Sequence, residues 1–188
     1  MDEPDPPIEP RSAGYVPFSC IAIVNSSARL AGKEAMLSLI AQALDAQLSQ
    51  DLGPALRIVP PRVVFAPNPK HLPAGAAVMW FKDELDEPSA LAYHTQDELG
   101  LISASVGVSV ILDNGGTELD GPDSLSAAAS HEAAEMSADP DVSFCVRTPD
   151  GYTYDYELCD WVQGDSYERQ IGGQAVSLSN FVFREAFA

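Results

Sequence analysis

The chain has 188 residues, 46% of them hydrophobic, which is enough for one domain with a core of ordinary size. Its formal net charge of -18, from 28 acidic and 10 basic residues, makes nucleic acid and anionic membrane poor partners, because such a surface repels phosphate. Apolar stretches such as Ala76 to Phe81 fall far short of the roughly 20 residues of a membrane helix, and the opening MDEPDPPIEP lacks a basic-then-apolar signal.

Residues 1–14 carry prolines and carboxylates with Ile8 as their single large apolar side chain, so a disordered tail is expected, followed by one domain over 15–188. Phe18 to Val24 reads as a buried first strand, bounded by Asn25-Ser26-Ser27. Met36, Ile40, Leu44 and Leu48 recur every four residues and predict a helix that Gly53-Pro54 stops. Arg57 to Phe65 and Ala76 to Phe81 read as strands, the first interrupted by Pro60-Pro61. Leu91 to His94 is a further strand candidate, and Leu101 to Leu112 another, with Val106, Val108 and Val110 alternating until Asp113-Asn114-Gly115-Gly116 turns the chain.

A second helix is predicted from Asp123 or Ser124, either of which can cap it, to about Ala138, where Asp139-Pro140 ends it. Phe144 to Val146 and Tyr152 to Tyr156 then flank Thr148-Pro149-Asp150-Gly151, a hairpin turn. A polar segment with Gly164 and Gly172-Gly173 leads to Phe181-Val182-Phe183, an apolar run expected to dock the C-terminus. Strands cluster before the second helix instead of alternating with helices, so the expected class is α+β, a mixed sheet with two main helices and a C-terminal hairpin region. Cys20, Cys145 and Cys159 are too few and too scattered for a disulfide scaffold, and free thiols are expected.

The chemistry concentrates in Ser130-His131-Glu132-Ala133-Ala134-Glu135. On a helix, His131 and Glu135 lie four apart on one face, and imidazole and carboxylate both ligate zinc and other divalent metals. Glu132 points about a third of a turn away, the offset that lets the glutamate of H-E-x-x-H act as general base on a water. Glutamate stands here where that motif has its second histidine, which weakens Lewis acidity and favours a harder ion. The acid-rich Tyr156-Glu157-Leu158-Cys159-Asp160 follows about twenty residues later and offers a third ligand. His94 ends a strand and could approach the site, while His71 sits in a Pro-rich loop and is expected to be exposed. A carboxylate-bridged di-iron centre would need further E-x-x-H helices, which the chain lacks.

The set S-H-E-x-x-E-M-x-x-D-P over Ser130 to Pro140, then Tyr156 to Asp160, Tyr167, Gly172-Gly173 and Ser179 to Phe181, with Ala92-Tyr93-His94 before it, resembles a family of uncharacterised phage-associated and bacterial proteins. The resemblance covers mainly the last sixty residues and implies a zincin-like domain. Gluzincins are similar in having a downstream glutamate complete the site with an aspartate supporting a ligand; on that likeness Glu157 ligates and Asp160 supports, and in an aspzincin-like geometry the roles swap. The expectation is therefore a divalent-metal hydrolase, zinc first, acting on peptide or protein, with Glu132 as base and Tyr167 or Tyr154 stabilising the oxyanion. Zincins place a substrate-pairing edge strand where Leu101 to Leu112 lies. The alternative is a non-catalytic, virion-associated or interaction protein that keeps a zincin-like scaffold; a cytoplasmic or virion-associated location fits either.

Overall fold

The computed structural model describes residues 17–147 and 151–183, so the tail expected over 1–14 and the turn residues 148–150 lie outside the described residues. Strand β1 (Cys20–Asn25) pairs in parallel with β2 (Arg62–Phe65) on one side and β3 (Ala77–Lys82) on the other. β3 pairs in parallel with β5 (Ile102–Gly107), and β4 (Ala92–Gln96) runs antiparallel along the far side of β5. The order is β2-β1-β3-β5-β4, a mixed sheet with its one antiparallel strand at the rim. β1 is a continuous apolar run because it is covered on both faces, as central parallel strands are.

Helix α1 (Glu34–Gln47) lies against β1 and β2, and its stripe of Leu37, Ile40, Leu44 and then Leu48 is wholly buried. Gly53-Pro54 does not stop this run. A wide turn over Leu48–Leu52 leads into a last short helix, α2 (Gly53–Leu56), with Pro54 in its first turn, where a missing N–H costs nothing. The chain leaves at Arg57, whose φ of 57° breaks the helix, and the predicted strand from Arg57 begins only at Arg62, beyond Pro60-Pro61.

The predicted strand from Leu101 to Leu112 is a strand for half its length. β5 ends at Gly107, opposite Lys82, the last residue of β3; beyond it no partner strand among the described residues receives the backbone. Helix α3 (Val108–Asp113) satisfies its own N–H and C=O groups and buries Val108 and Ile111, three apart. Gly116 then lets the chain double back, since a Cβ there would sit 2.1 Å from the Asp123 carbonyl oxygen.

Helix α4 (Leu125–Ala138) begins where expected, with the Ser124 side chain accepting from the Ala127 N–H. It lies under β4 and β5 and touches α1, so both long helices share one face of the sheet and one core. A smaller cluster of Ala22, Val24 and Ala66 covers the other face. After α4 come two hairpins, β6 (Cys145–Arg147) with β7 (Thr153–Asp155), and β8 (Ser166–Ile171) with β9 (Gln174–Ser179). The second turns on Gly172 and Gly173, both at positive φ, the two-residue glycine turn that suits strand twist. Phe181 is buried and the Val182 N–H bonds the Leu158 carbonyl, which docks the final apolar run. The architecture is α+β, and no helix of the described residues is long and apolar enough to cross a membrane.

Candidate metal centre

The face of α4 that looks towards β4 and the loop after β7 carries His131, Glu132 and Glu135, with Glu132 and Glu135 buried. α4 can hold acids there because alanines and serines make up most of its buried surface: Ala129, Ala133 and Ala134 fill the core side, and Ser126 and Ser130 fasten the helix to β9. The Ser126 hydroxyl donates to the Ser177 carbonyl at 2.7 Å, and the Ser130 hydroxyl accepts from the Ser179 N–H at 2.6 Å.

Two groups of potential ligands share Glu135. In the first, ligand atoms of His131, Glu135 and Asp160 all lie within 4.8 Å of one another. His131 Nε2 is 3.2 Å from Glu135 Oε2 and 3.1 Å from Asp160 Oδ1. The other Glu135 oxygen accepts the Cys159 N–H at 3.0 Å, which ties the helix to the segment that delivers Asp160. That segment is anchored by burial of Leu158 and Cys159, leaving Asp160 with its side chain 57% exposed at the mouth of the group.

The second group is His94, Glu132 and Glu135. β4 turns His94 down onto α4, where Nδ1 lies 3.1 Å from Glu132 Oε2 and Nε2 lies 3.2 Å from the Asp139 carbonyl. Both ring nitrogens thus face acceptors, so with Glu132 ionised each must carry a hydrogen. Asp139 in turn receives the N–H groups of Ser143 and Phe144 at 3.0 and 2.9 Å, folding the chain sharply after α4. Val142 in that loop has φ of 50°, a conformation that β-branched residues rarely adopt.

The electrostatics follow from burial and these contacts. Burial alone would lower both imidazoles, but Glu132 outweighs it and carries His94 up to about 9, while Asp160 and Glu135 carry His131 up to about 10. Burial pushes the Glu132 carboxyl above its usual range. Burial and the neighbouring charge of Glu135 push Glu157 up to about 8, and the His131 hydrogen bond holds Asp160 low.

Of the residues expected from sequence, His131, Glu135 and Asp160 come together, and Glu132 joins Glu135 in the other group, beside His94. Glu157 lies against Glu135 and stands outside both groups, with a buried Oε2 that finds no hydrogen-bond partner among the described residues. Tyr167 lies elsewhere. Its hydroxyl donates to Asp51 at 2.5 Å beside the Arg169–Asp51 ion pair, and burial with Asp51 raises its pKa, so it serves the joint between β8 and the wide turn after α1. Tyr154 is on β7, its ring against Trp161. His71 is exposed, as expected, and accepts or donates only to Asn68 among the described contacts. All three cysteines are free. His94, which the sequence puts at a strand end able to approach the site, belongs to the second group. Alternation in β4 could place it on the same face as Ala92, but only the packing of β4 on α4 pairs it with Glu132.

The donor set suits a cation. Bonds of about 2.1 Å at tetrahedral angles set ligand atoms roughly 3.4 Å apart, close to the 3.2 and 3.1 Å that separate His131 from Glu135 and from Asp160. One imidazole with two carboxylates fits zinc and the harder divalent ions of the first row. A cleft of about 220 Å³, lined by Pro122, Ala128, His131, Gln163 and Asp165 among others, opens beside His131. Compared with protein-family models, with curated proteins and with solved structures, the chain matches none.

Proposed function

We propose that the chain is a divalent-metal-dependent hydrolase of zincin-like build that cleaves peptide bonds. The observation that carries this reading is the convergence of His131, Glu135 and Asp160, with Glu132 one residue along the same helix turn. A divalent cation in that group would supply Lewis acidity towards a water and a substrate carbonyl. The chain's own residues would do the rest. Glu132 accepts the proton of the attacking water and passes it to the leaving amine, and burial, which raises its pKa, makes it the stronger base. His94 fixes the Glu132 carboxylate through Nδ1 while the Asp139 carbonyl fixes His94 through Nε2. Half-exposed Asp160 leaves the outer side of the group open to substrate.

The fold is compatible with a substrate held as an added strand, although the strand concerned is β4, not the segment 101–112. β4 pairs only with β5 among the described residues and lies over α4, so an extended peptide on its outer side would run beside the group. Tyr167 has no part in this reading.

A second reading rests on a different observation. His131 with Asp160 and Glu135, and His94 with Glu132, hold one another as ion pairs without any metal. A non-catalytic protein, virion-associated or otherwise, could keep this network as structure alone. Metal analysis of the purified full chain, with cleavage of a mixed peptide library by wild type and Glu132→Gln, separates the two. The hydrolase reading expects bound metal in both proteins and a loss of turnover of about 10²-fold or more in the variant. Metal without cleavage leaves only the scaffold, and no metal leaves the ion-pair network.

A further inference from the structure

Two groups of ligand atoms meet at Glu135, and the proposed hydrolysis places metal in only one of them. In the other, ligand atoms of His94, Glu132 and Glu135 lie within 4.8 Å of one another. Their side chains are 4%, 6% and 4% exposed, so this group is the more deeply buried of the two. Two carboxylates and one imidazole are costly to hold out of water unless something of positive charge unites them.

Three features of this group point to a cation. The His94 ring is held as a metal-bound imidazole is held: Nδ1 faces the group, 3.1 Å from Glu132 Oε2, and Nε2 lies 3.2 Å from the Asp139 carbonyl, which accepts its hydrogen and fixes the ring. Glu157 lies against Glu135 and feels the charge of His94. Its Oε2 is buried without a hydrogen-bond partner among the described residues, so one polar atom at this group is left over. Charge balance is the third. Glu132, Glu135, Glu157 and Asp160, all ionised, balance two divalent cations with both imidazoles neutral, whereas a single cation leaves half of that negative charge for protons to meet.

We propose that His94, Glu132 and Glu135 form a second site for a divalent cation, sharing Glu135 with the site at His131 and Asp160 and drawing on Glu157 as a further oxygen. The second site is the weaker, because its ion must part His94 from Glu132 and share Glu135 with a cation already bound. As a statement about regulation, this rests on the hydrolase reading: Glu132 tied to the second ion no longer takes the proton of the attacking water, so excess metal switches cleavage off.

The test titrates zinc into the full metal-free chain by equilibrium dialysis and follows cleavage of a mixed peptide library over the same range. One ion is expected to bind tightly and a second more weakly, with cleavage rising over the first equivalent and falling over the second. X-ray absorption at two equivalents should show a metal–metal distance of about 3.5–4 Å that is absent at one. His94→Gln and Glu157→Gln should each weaken the second ion by at least about tenfold and move the fall in cleavage to correspondingly higher zinc. Melting curves check that the variants fold, and Glu157→Gln, which keeps the size of the side chain, carries the test if His94→Gln does not fold. Uptake of a single ion at millimolar zinc, or a second ion indifferent to both substitutions, would overturn the proposal. Two ions at that separation in a chain that cleaves nothing keep the second site and remove the hydrolase. Cleavage that needs zinc and does not fall under excess does the reverse.

Discussion

Helices α1 and α4 use the same spacing for opposite ends. On α1 and the turn that continues it the residues four apart are Ile40, Leu44 and Leu48, all fully buried, and each removes apolar surface from water at a gain of about 25 cal/mol per Å². On α4 the residues four apart are His131 and Glu135, with Glu132 between them, and burying them works against stability unless every charge finds a partner. The first stripe is explained by folding. The second is not, because well-packed apolar side chains would serve a core at least as well. The difference locates where the sequence departs from what stability alone would choose, and that is where chemistry is to be sought.

The comparison can be broken by mutation, and the largest effect belongs to α4. Glu132→Gln should lower the melting temperature at neutral pH, since buried His94 loses the charge that holds its proton, and should lower the turnover of the folded fraction by about 10²-fold or more in a peptide-cleavage assay. On α1, Leu44→Ala should cost about 3 kcal/mol by denaturant titration, the usual range for a fully buried leucine being about 2–5 kcal/mol, and leave the catalytic parameters of the folded fraction unchanged. A variant of α4 that lost stability on that scale while keeping activity would reverse the assignment of roles.

A pH series sharpens the contrast. His94 and His131 are raised in the folded chain, to about 9 and about 10, from an ordinary value near 6.5. A raised pKa means the folded state holds the proton more tightly. The metal-free protein should therefore enjoy this contribution in full below about pH 6.5 and lose it progressively as pH rises through 9 and 10. Metal binding needs the imidazole free of its proton, so stabilisation by added zinc should grow over the same interval. Thermal melts with and without metal, from pH 6 to 10, read both trends. The smallest effect is expected at Tyr167: Tyr167→Phe should leave turnover within about twofold and cost roughly 1 kcal/mol of stability, because its hydroxyl serves Asp51.

Much of this was legible in the residues. The apolar stripe of α1, the Ser124 cap and Asp139-Pro140 stop of α4, and the pairing of His131 with Glu135 all follow from local rules of period and capping. What local rules missed was decided by partners far along the chain. Val106, Val108 and Val110 alternate as a strand should, but β3 ends at Lys82 and the chain coils into α3. Gly172-Gly173 carried a hairpin signal that went unused because the flanking β8 and β9 are half polar. Glu157 and Asp160 look interchangeable in sequence; burial of Leu158 and Cys159 between them decides which acid reaches His131. His94 needs β4 laid on α4 before its partner exists.

Metal titration of the apoprotein, followed by X-ray absorption at the metal edge, tests directly for a cation at His131, Glu135 and Asp160. The expected result is one tightly held ion coordinated by a single imidazole and by oxygens at about 2.0–2.2 Å, with Asp160→Asn weakening it by at least about tenfold. A chain that takes up no divalent ion, and whose melting temperature no such ion moves, would contradict the account.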